Sequence, residues 1–323
     1  MSKIRIGVMG CANIAKKSII PAIKSLSEQF ELVAVSSRDE DKANEFANLF
    51  ECKAVVGYDS LLNEAIDAVY IPLPTGLHEE WITKALISGK HVYAEKSIAN
   101  SFSSAQKMVN EAKNRNLALM EGYMFQYHTQ HQKVKQLIAD DAIGEIRSFS
   151  GAFGFPPLDI NNFRYDEIIG GGALFDAAGY PLRALHFMMG SPFKVAASSL
   201  YLNPETGTSI YGSAFLKNDN GVGAHIAFGF DNFYQCNYEI WGSKGKITVA
   251  RAYTPSPDYK PIIVLEKQGV SETIIEAPCN HFVGAMNEFY NVVTGKPDKK
   301  NHYEAILLQS KSLDEIKTFS TKF

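Results

Sequence analysis

The chain has 323 residues, with 32 basic and 35 acidic side chains and a net charge of −3. That length predicts two cores of roughly 100–200 residues each, and the lack of a basic stripe or polybasic run excludes nucleic acid and an anionic membrane surface as partners, leaving a small molecule. Four cysteines, Cys11, Cys52, Cys236 and Cys279, form no Cys-x-x-Cys pair, which excludes a locally encoded zinc ribbon or redox dithiol and predicts reduced thiols and no metal.

The sequence enters directly into Ile4-Arg5-Ile6-Gly7-Val8-Met9, with no signal-peptide pattern and no later run of membrane-spanning length, so a cytoplasmic protein is expected. Strands are predicted at Ile4 to Met9, Leu32 to Ser36, Ala68 to Pro72, His91 to Ala94 and Ala118 to Glu121. Between them, Ile14 to Ser27, Asp41 to Phe50 and Trp81 to Ser88 carry apolar residues at helical spacing. Alternation of this kind predicts a parallel sheet wrapped by helices, an α/β Rossmann domain over residues 1–122.

The grammar changes after about Tyr123. One helix, His131 to Ala139, precedes segments with period-two alternation at Val195 to Leu202, Ile210 to Leu216, Ala224 to Phe230, Cys236 to Trp241 and Ile247 to Ala252. Asn218-Asp219-Asn220-Gly221 and Gly242-Ser243-Lys244-Gly245 supply hairpin turns. Residues 123–323 are therefore expected to form an α+β domain with an open, mostly antiparallel sheet, packed tightly on the first domain with the active site between them. An apolar sheet face left wet would be costly, and a homo-dimer or homo-tetramer is expected.

Gly10-Cys11-Ala12-Asn13-Ile14-Ala15 falls where the first strand turns into the first helix, the place where a dinucleotide pyrophosphate meets backbone N–H groups and the positive helix end. Ala12 stands where the middle glycine of G-x-G-x-x-G/A is usual. The second strand ends Ser36-Ser37-Arg38, with no carboxylate for a ribose diol and a guanidinium suited to a 2′-phosphate. NADP(H) is accordingly the preferred cofactor, with NAD(H) as the alternative.

Gly10-Cys11-Ala12, Ile71-Pro72-Leu73-Pro74 with Thr75 and His78, Glu95-Lys96, Gly170-Gly171-Gly172-Ala173-Leu174 with Asp176 and Tyr180, and Gly242-Ser243-Lys244-Gly245 follow one another over nearly the whole chain. In that order they resemble the glucose-fructose oxidoreductase, inositol dehydrogenase and rhizopine-catabolism (Gfo/Idh/MocA) family. The resemblance implies a cofactor site formed by Gly10, Cys11, Ala12, Asn13, Ile14, Ser37, Arg38, Pro72, Leu73, His78, Glu95 and Lys96. It implies a catalytic lysine from a Glu-Lys-Pro motif, carried over to Lys96, although Ser97 stands where proline is usual. It also implies an Asp-x-x-x-Tyr pair, Asp176 and Tyr180, which places the chain in the tyrosine branch. At a spacing of four, both would share a helix face kinked at Pro181.

Tyr180 is the expected proton relay, and Lys96, Tyr123, Arg164, Asp176 and Tyr180 are the expected substrate contacts, with Arg164 offered to a substrate phosphate or carboxylate. Gln126 departs from the branch, where arginine is frequent; His128 and His131 read as site-wall or structural histidines. The activity so implied is hydride transfer to or from a sugar-like substrate, foremost the NADPH-dependent reduction of a nucleotide-linked keto-sugar. Oxidation of aldoses or trans-dihydrodiols is the enzyme alternative, and a nicotinamide-binding regulator without turnover is the alternative of another class.

Overall fold

A computed structural model describes residues 3–296 and 298–323. They divide into two compact units, one made of residues 1–122 with 282–310 and the other of residues 123–281 with 311–323. The second half is thus not the uninterrupted stretch 123–323. The reason is apolar: Phe289 and Tyr290, late in the chain, pack their rings on Tyr93 and Phe30, and the Tyr303 hydroxyl donates to the Leu117 carbonyl.

The first unit holds a six-stranded parallel sheet. Its strands are β1 (Ile4–Met9), β2 (Phe30–Ser37), β3 (Lys53–Val56), β4 (Ala68–Ile71), β5 (His91–Ala94) and β6 (Leu119–Glu121), in the spatial order β3-β2-β1-β4-β5-β6. This is the dinucleotide-binding order, whose reversal between β1 and β4 opens a crevice at the strands' carboxyl ends. The connecting helices are α1 (Ile20–Ser25), entered through a π turn at Ala15–Ile19, then α2 (Glu40–Phe50), α3 (Tyr58–Leu62), α4 (His78–Ile87) and α5 (Phe102–Asn114). Pro21 explains the π turn, because it lacks the N–H that an α-helical ladder would use there.

The strands read as continuous apolar runs because both faces are covered. Val69, Ile71, Val92 and Ala94 enter one core with Ile82, Met108 and Val109, whereas Tyr70 and Tyr93, which alternate with them, stack on each other, and Tyr93 meets Phe289. Helices α9 (His281–Val293) and α10 (Lys299–Phe319) complete the α-helical set.

In the second unit α6 (Thr129–Ala139), α7 (Gly172–Asp176) and α8 (Gly179–Met189) accompany a nine-stranded sheet. Its strands are β7 (Ile146–Gly154), β8 (Lys194–Leu202), β9 (Ser209–Lys217), β10 (Gly223–Gly229), β11 (Gln235–Gly242), β12 (Gly245–Val249), β13 (Ile262–Lys267), β14 (Val270–Ile275) and β15 (Thr321–Lys322). The order is β14-β13-β12-β11-β7-β10-β9-β8-β15, with only the β7–β10 and β8–β15 pairs parallel. Both expected hairpin turns sit where the sequence placed them, between β9 and β10 and between β11 and β12.

One face of this sheet is core, where Ala214, Leu216, Ala224, Ile226 and Phe228 are buried. The other exposes Tyr201, Tyr211, Phe215 and Trp241, of which Tyr201 and Tyr211 lie opposite one another in register with rings stacked at 4.8 Å.

Three histidines are buried in the second unit. His128 caps α6 by accepting from the Gln130 N–H, and His131 sets its two ring nitrogens 2.9 Å from the Tyr238 hydroxyl and 2.9 Å from the Ala252 carbonyl. His128 and His281 meet edge to face. These contacts make them structural histidines. Burial holds all three neutral, with His128 pushed down to about 4 and His131 and His281 to about 3.

Because the folded protein resists protonation where the unfolded chain accepts it near pH 6.5, stability is full above that value and falls as pH drops below it. Each histidine should cost about 2 kcal/mol at pH 5. Urea midpoints measured at pH 7.5, 6 and 5 should therefore fall steeply over the last step; a flat profile would contradict this account.

Candidate active site

In the first unit the site begins at Gly10, directly after β1. Its φ of +120° is open only to glycine at low cost, and an added Cβ would lie 2.9 Å from Leu73. Cys11, Ala12, Asn13 and Ile14 follow, and the Lys16 N–H makes a helical bond back to the Ala12 carbonyl. The amides at this helix start are the groups that such a turn is expected to offer to an anion. The Cys11 thiol turns toward the Lys42 carbonyl, and its burial, reinforced by Glu45, raises it to about 11, so it stays protonated.

At the end of β2, Arg38 is exposed and lies beside the Tyr58 hydroxyl, on a ring packed edge-on against Trp81. Ser37 accepts from the Asp39 N–H, which leaves its own hydroxyl proton to donate. Ser36 is fully buried and donates to the Val8 carbonyl, so of the two serines only Ser37 suits a ligand.

The carboxyl ends of β4 and β5 carry Pro72-Leu73 and Glu95-Lys96. Expected to touch the cofactor, His78 does something else: it is fully buried, with Nε2 2.8 Å from the Leu73 carbonyl and Nδ1 2.9 Å from the Ser97 carbonyl. One nitrogen donates to a backbone carbonyl while the other lies against the second, so the imidazole ties the two loops together. Burial lowers its proton affinity, and the nearby Lys96 cation lowers it further.

Ser97, in place of proline, is buried and forms a cis peptide with Lys96. Glu95 accepts from the Tyr70 hydroxyl at 2.8 Å, and Glu121 accepts from the Ile98 N–H at 2.9 Å, so the segment around Lys96 is held on both sides.

In the second unit the expected single helix is two. Asp176 ends α7 and Tyr180 sits near the start of α8; Ala177 and Ala178 between them keep right-handed helical dihedrals. Pro181 accordingly falls in the first turn of α8, where its missing N–H costs little. Tyr180 is 6% exposed and walled by rings, with Phe153 at 4.6 Å, Tyr123 at 5.7 Å and Tyr253 at 5.8 Å.

Tyr123, expected to contact substrate, has no exposed surface and braces Tyr180 edge-on, with the buried Arg183 over its ring. Arg183 also donates to Gln126 at 3.1 Å. An arginine at 126 would set a second cation against this one, which accounts for glutamine there.

Arg164 also departs from expectation. Its Nε lies 3.0 Å from Asp176 Oδ2 and its guanidinium stacks over Phe163, so it is already paired with a carboxylate of the chain. Gly170 permits this approach: a Cβ there would lie 2.3 Å from the Phe163 carbonyl oxygen and 2.5 Å from Arg164 Cα. The wall around Tyr180 escaped the sequence reading because β7 spells Phe149-Ser150-Gly151-Ala152-Phe153, an alternation diluted by small residues.

Comparison with known proteins shows the family. Residues 4–123 match the oxidoreductase family with an NAD-binding Rossmann fold (GFO_IDH_MocA), and residues 131–248 match the GFO/IDH/MocA C-terminal domain. The chain is 44% identical to a dTDP-3,4-didehydro-2,6-dideoxy-alpha-D-glucose 3-reductase of Saccharopolyspora spinosa, over 84% of this chain and 82% of that one. It is 36% identical to its Actinomadura kijaniata counterpart, over 98% and 95%. The crystal structure of KijD10, a 3-ketoreductase from Actinomadura kijaniata in complex with NADP and TDP-benzene, superposes with a TM-score of 0.96 at 35% identity, covering 100% of this chain and 99% of that one. Structures of KijD10 with a lysine or a tyrosine replaced are also known, and those two positions are as far apart in its chain as Lys96 and Tyr180 are here.

A methyl group at Gly170 has no room, so Gly170→Ala should force the 163–165 turn away and destabilise the protein by about 1–3 kcal/mol. Urea denaturation checks this, and unchanged stability would contradict the packing described.

Proposed function

Because this chain belongs to the Gfo/Idh/MocA oxidoreductase family, we propose that it reduces the 3-keto group of a thymidine-diphosphate-linked deoxysugar with NADPH. One observation carries this reading: the match to an NADP-bound 3-ketoreductase runs the full length at a TM-score of 0.96, rather than over the Rossmann unit alone.

The residues of the first unit fit a phosphorylated dinucleotide. Gly10 to Ile14 present a glycine turn and a helix start to a pyrophosphate, while Arg38 and Ser37 offer a guanidinium and a hydroxyl to a 2′-phosphate. Pro72, Leu73 and Glu95 lie at the carboxyl ends of β4 and β5, where ligands of such sheets bind. When bound, the reduced nicotinamide supplies the hydride.

The chain supplies the rest. Tyr180 donates the proton that the carbonyl oxygen takes up as its carbon is reduced, its O–H bond breaking as the alcohol O–H forms, and water restores it. Lys96 provides a cation that stabilises negative charge developing on that oxygen. Asp176 accepts a hydrogen bond from a substrate hydroxyl and so orients the ring. The buried aromatic wall behind Tyr180 holds the phenol in one rotamer, which removes an ordering cost from each turnover.

The outer face of the nine-stranded sheet suits a second copy of the chain. Its exposed Tyr201, Tyr211, Phe215 and Trp241 are accompanied by a groove of about 310 Å³ lined by Ser199, Tyr211, Asn232 and Phe323 among others, an apolar surface of the kind that homo-oligomers bury.

Following NADPH absorbance with a TDP-linked 3-keto-6-deoxysugar tests the reading. Lys96→Ala, Tyr180→Phe and Asp176→Asn should each lower kcat/KM by about 100-fold or more while NADPH binding stays near wild type. Turnover at wild-type rates in any of the three would remove that residue from the mechanism. Oxidation of aldoses or dihydrodiols without keto-sugar reduction would reassign the substrate, and a nucleotide-dependent protein partner with no turnover would favour a regulator.

The cofactor assignment has its own check. Arg38→Ala should weaken NADPH binding about 10-fold or more and leave NADH binding unchanged. Equal losses would show that Arg38 does not hold the 2′-phosphate.

A further inference from the structure

We propose that Arg164 is a positioning residue, acting on substrate through Asp176 rather than by binding the substrate itself. The inference deepens the reading above and rests on the assignment of Asp176 to the reaction. Its basis is a set of contacts that fix the guanidinium before any ligand arrives.

Arg164 occupies a short 3₁₀ turn, Phe163–Tyr165, whose geometry is locked from several directions. The Asn162 side chain accepts from the Arg164 N–H at 3.1 Å and lies 3.4 Å from Nη1. On the other side of the turn, the Tyr165 carbonyl accepts from the Thr208 hydroxyl at 2.8 Å, and the Tyr165 hydroxyl accepts from the Leu158 N–H at 3.0 Å. The Phe163 ring lies 4.7 Å below the guanidinium.

Asp176 is held as firmly. It closes α7, whose Leu174 N–H donates to the Ser209 hydroxyl, and its side chain is 13% exposed against 30% for Arg164. An exposed arginine–carboxylate pair in solvent stabilises little, because both long side chains must be ordered to make it. Here one partner is largely buried and the other is stacked and braced, so the pair is preorganised. The planar guanidinium, with Nε 3.0 Å from Oδ2, stops rotation of the carboxylate about χ2 and sets the direction of its remaining lone pairs. That direction decides whether a sugar hydroxyl is met in line. A 1 Å error in such placement is enough to cost about 100-fold in rate.

The Arg164 Nε already lies on Asp176, so a direct role would show as substrate affinity and a positioning role as turnover, and this separates the two experimentally. If Arg164 positions Asp176, Arg164→Ala should lower kcat about 10- to 100-fold with KM for the nucleotide-sugar nearly unchanged. Arg164→Lys, which restores the charge without the planar fork, should recover only part of the loss, and millimolar guanidinium should restore part of the activity of Arg164→Ala.

In the Asp176→Asn background, Arg164→Ala should lower the residual rate less than two-fold, because its route of action is already gone. A large rise in KM with kcat unchanged, or full multiplicative losses in the double variant, would overturn the proposal. The same four proteins compared by urea denaturation report the pairing without any substrate. Coupling there, in a wild-type protein that fails to reduce the keto-sugar, would reject the substrate reading while keeping the pair; absence of coupling would reject the pair itself.

Discussion

One buried imidazole holds the first unit's chemistry in place. Strands β4 and β5 lie side by side, and the loops that leave them must pass close together at the sheet's carboxyl edge without a ladder to join them. His78 supplies that join, reaching the Leu73 carbonyl with one nitrogen and the Ser97 carbonyl with the other. Leu73 in turn fills the space that a side chain on Gly10 would need, and Ser97 follows Lys96 directly. The strand-to-helix turn, the second loop and the lysine therefore form one connected piece. A buried ring that donates to one backbone oxygen and packs against a second is expensive to disturb, and this is how a loop residue such as Lys96 acquires a fixed place.

The second unit solves the same problem with rings and a salt bridge. Tyr180 is set by Phe153, Tyr123 and Tyr253, and Asp176 by Arg164, while the glycine run at 170–172 gives the intervening chain room to fold back on itself. In both units the residues assigned to chemistry are few, and each is surrounded by neighbours whose work is to restrict it. Such neighbours are selected for shape and contact, and short motifs represent them poorly.

This difference explains how much was legible in the sequence. Period and turn chemistry located five of the six strands of the parallel sheet and five strands of the second, because alternation between buried and exposed positions leaves a direct trace. Edge strand β3 begins at Lys53 and buries only Val55, so it lacks the apolar imprint of the inner strands, and the hairpin of β13 and β14 turns on Gln268-Gly269 without the stronger turn signals used elsewhere. The return of residues 282–310 to the first unit was invisible because helical periodicity shows that a helix has an apolar face but not which sheet receives it. At the site, motif order named Lys96, Asp176 and Tyr180. It could not separate residues that would touch a ligand from those that hold others, and so His78 and Tyr123 appeared as contacts although both are fully buried, and Arg164 although it is paired with Asp176.

The first unit thus fixes a glycine turn and a lysine, and the second fixes an aspartate and a tyrosine in an aromatic wall. The proposed reaction is direct transfer of hydride from NADPH to a sugar carbonyl, and isotope labelling tests it most directly. With NADPH deuterated at one face of nicotinamide C4 and a TDP-linked 3-keto-6-deoxysugar, the reduced sugar should gain one deuterium at C3 from one of the two labelled cofactors and none from the other. Product without deuterium from either, or label recovered only in solvent, would contradict the account.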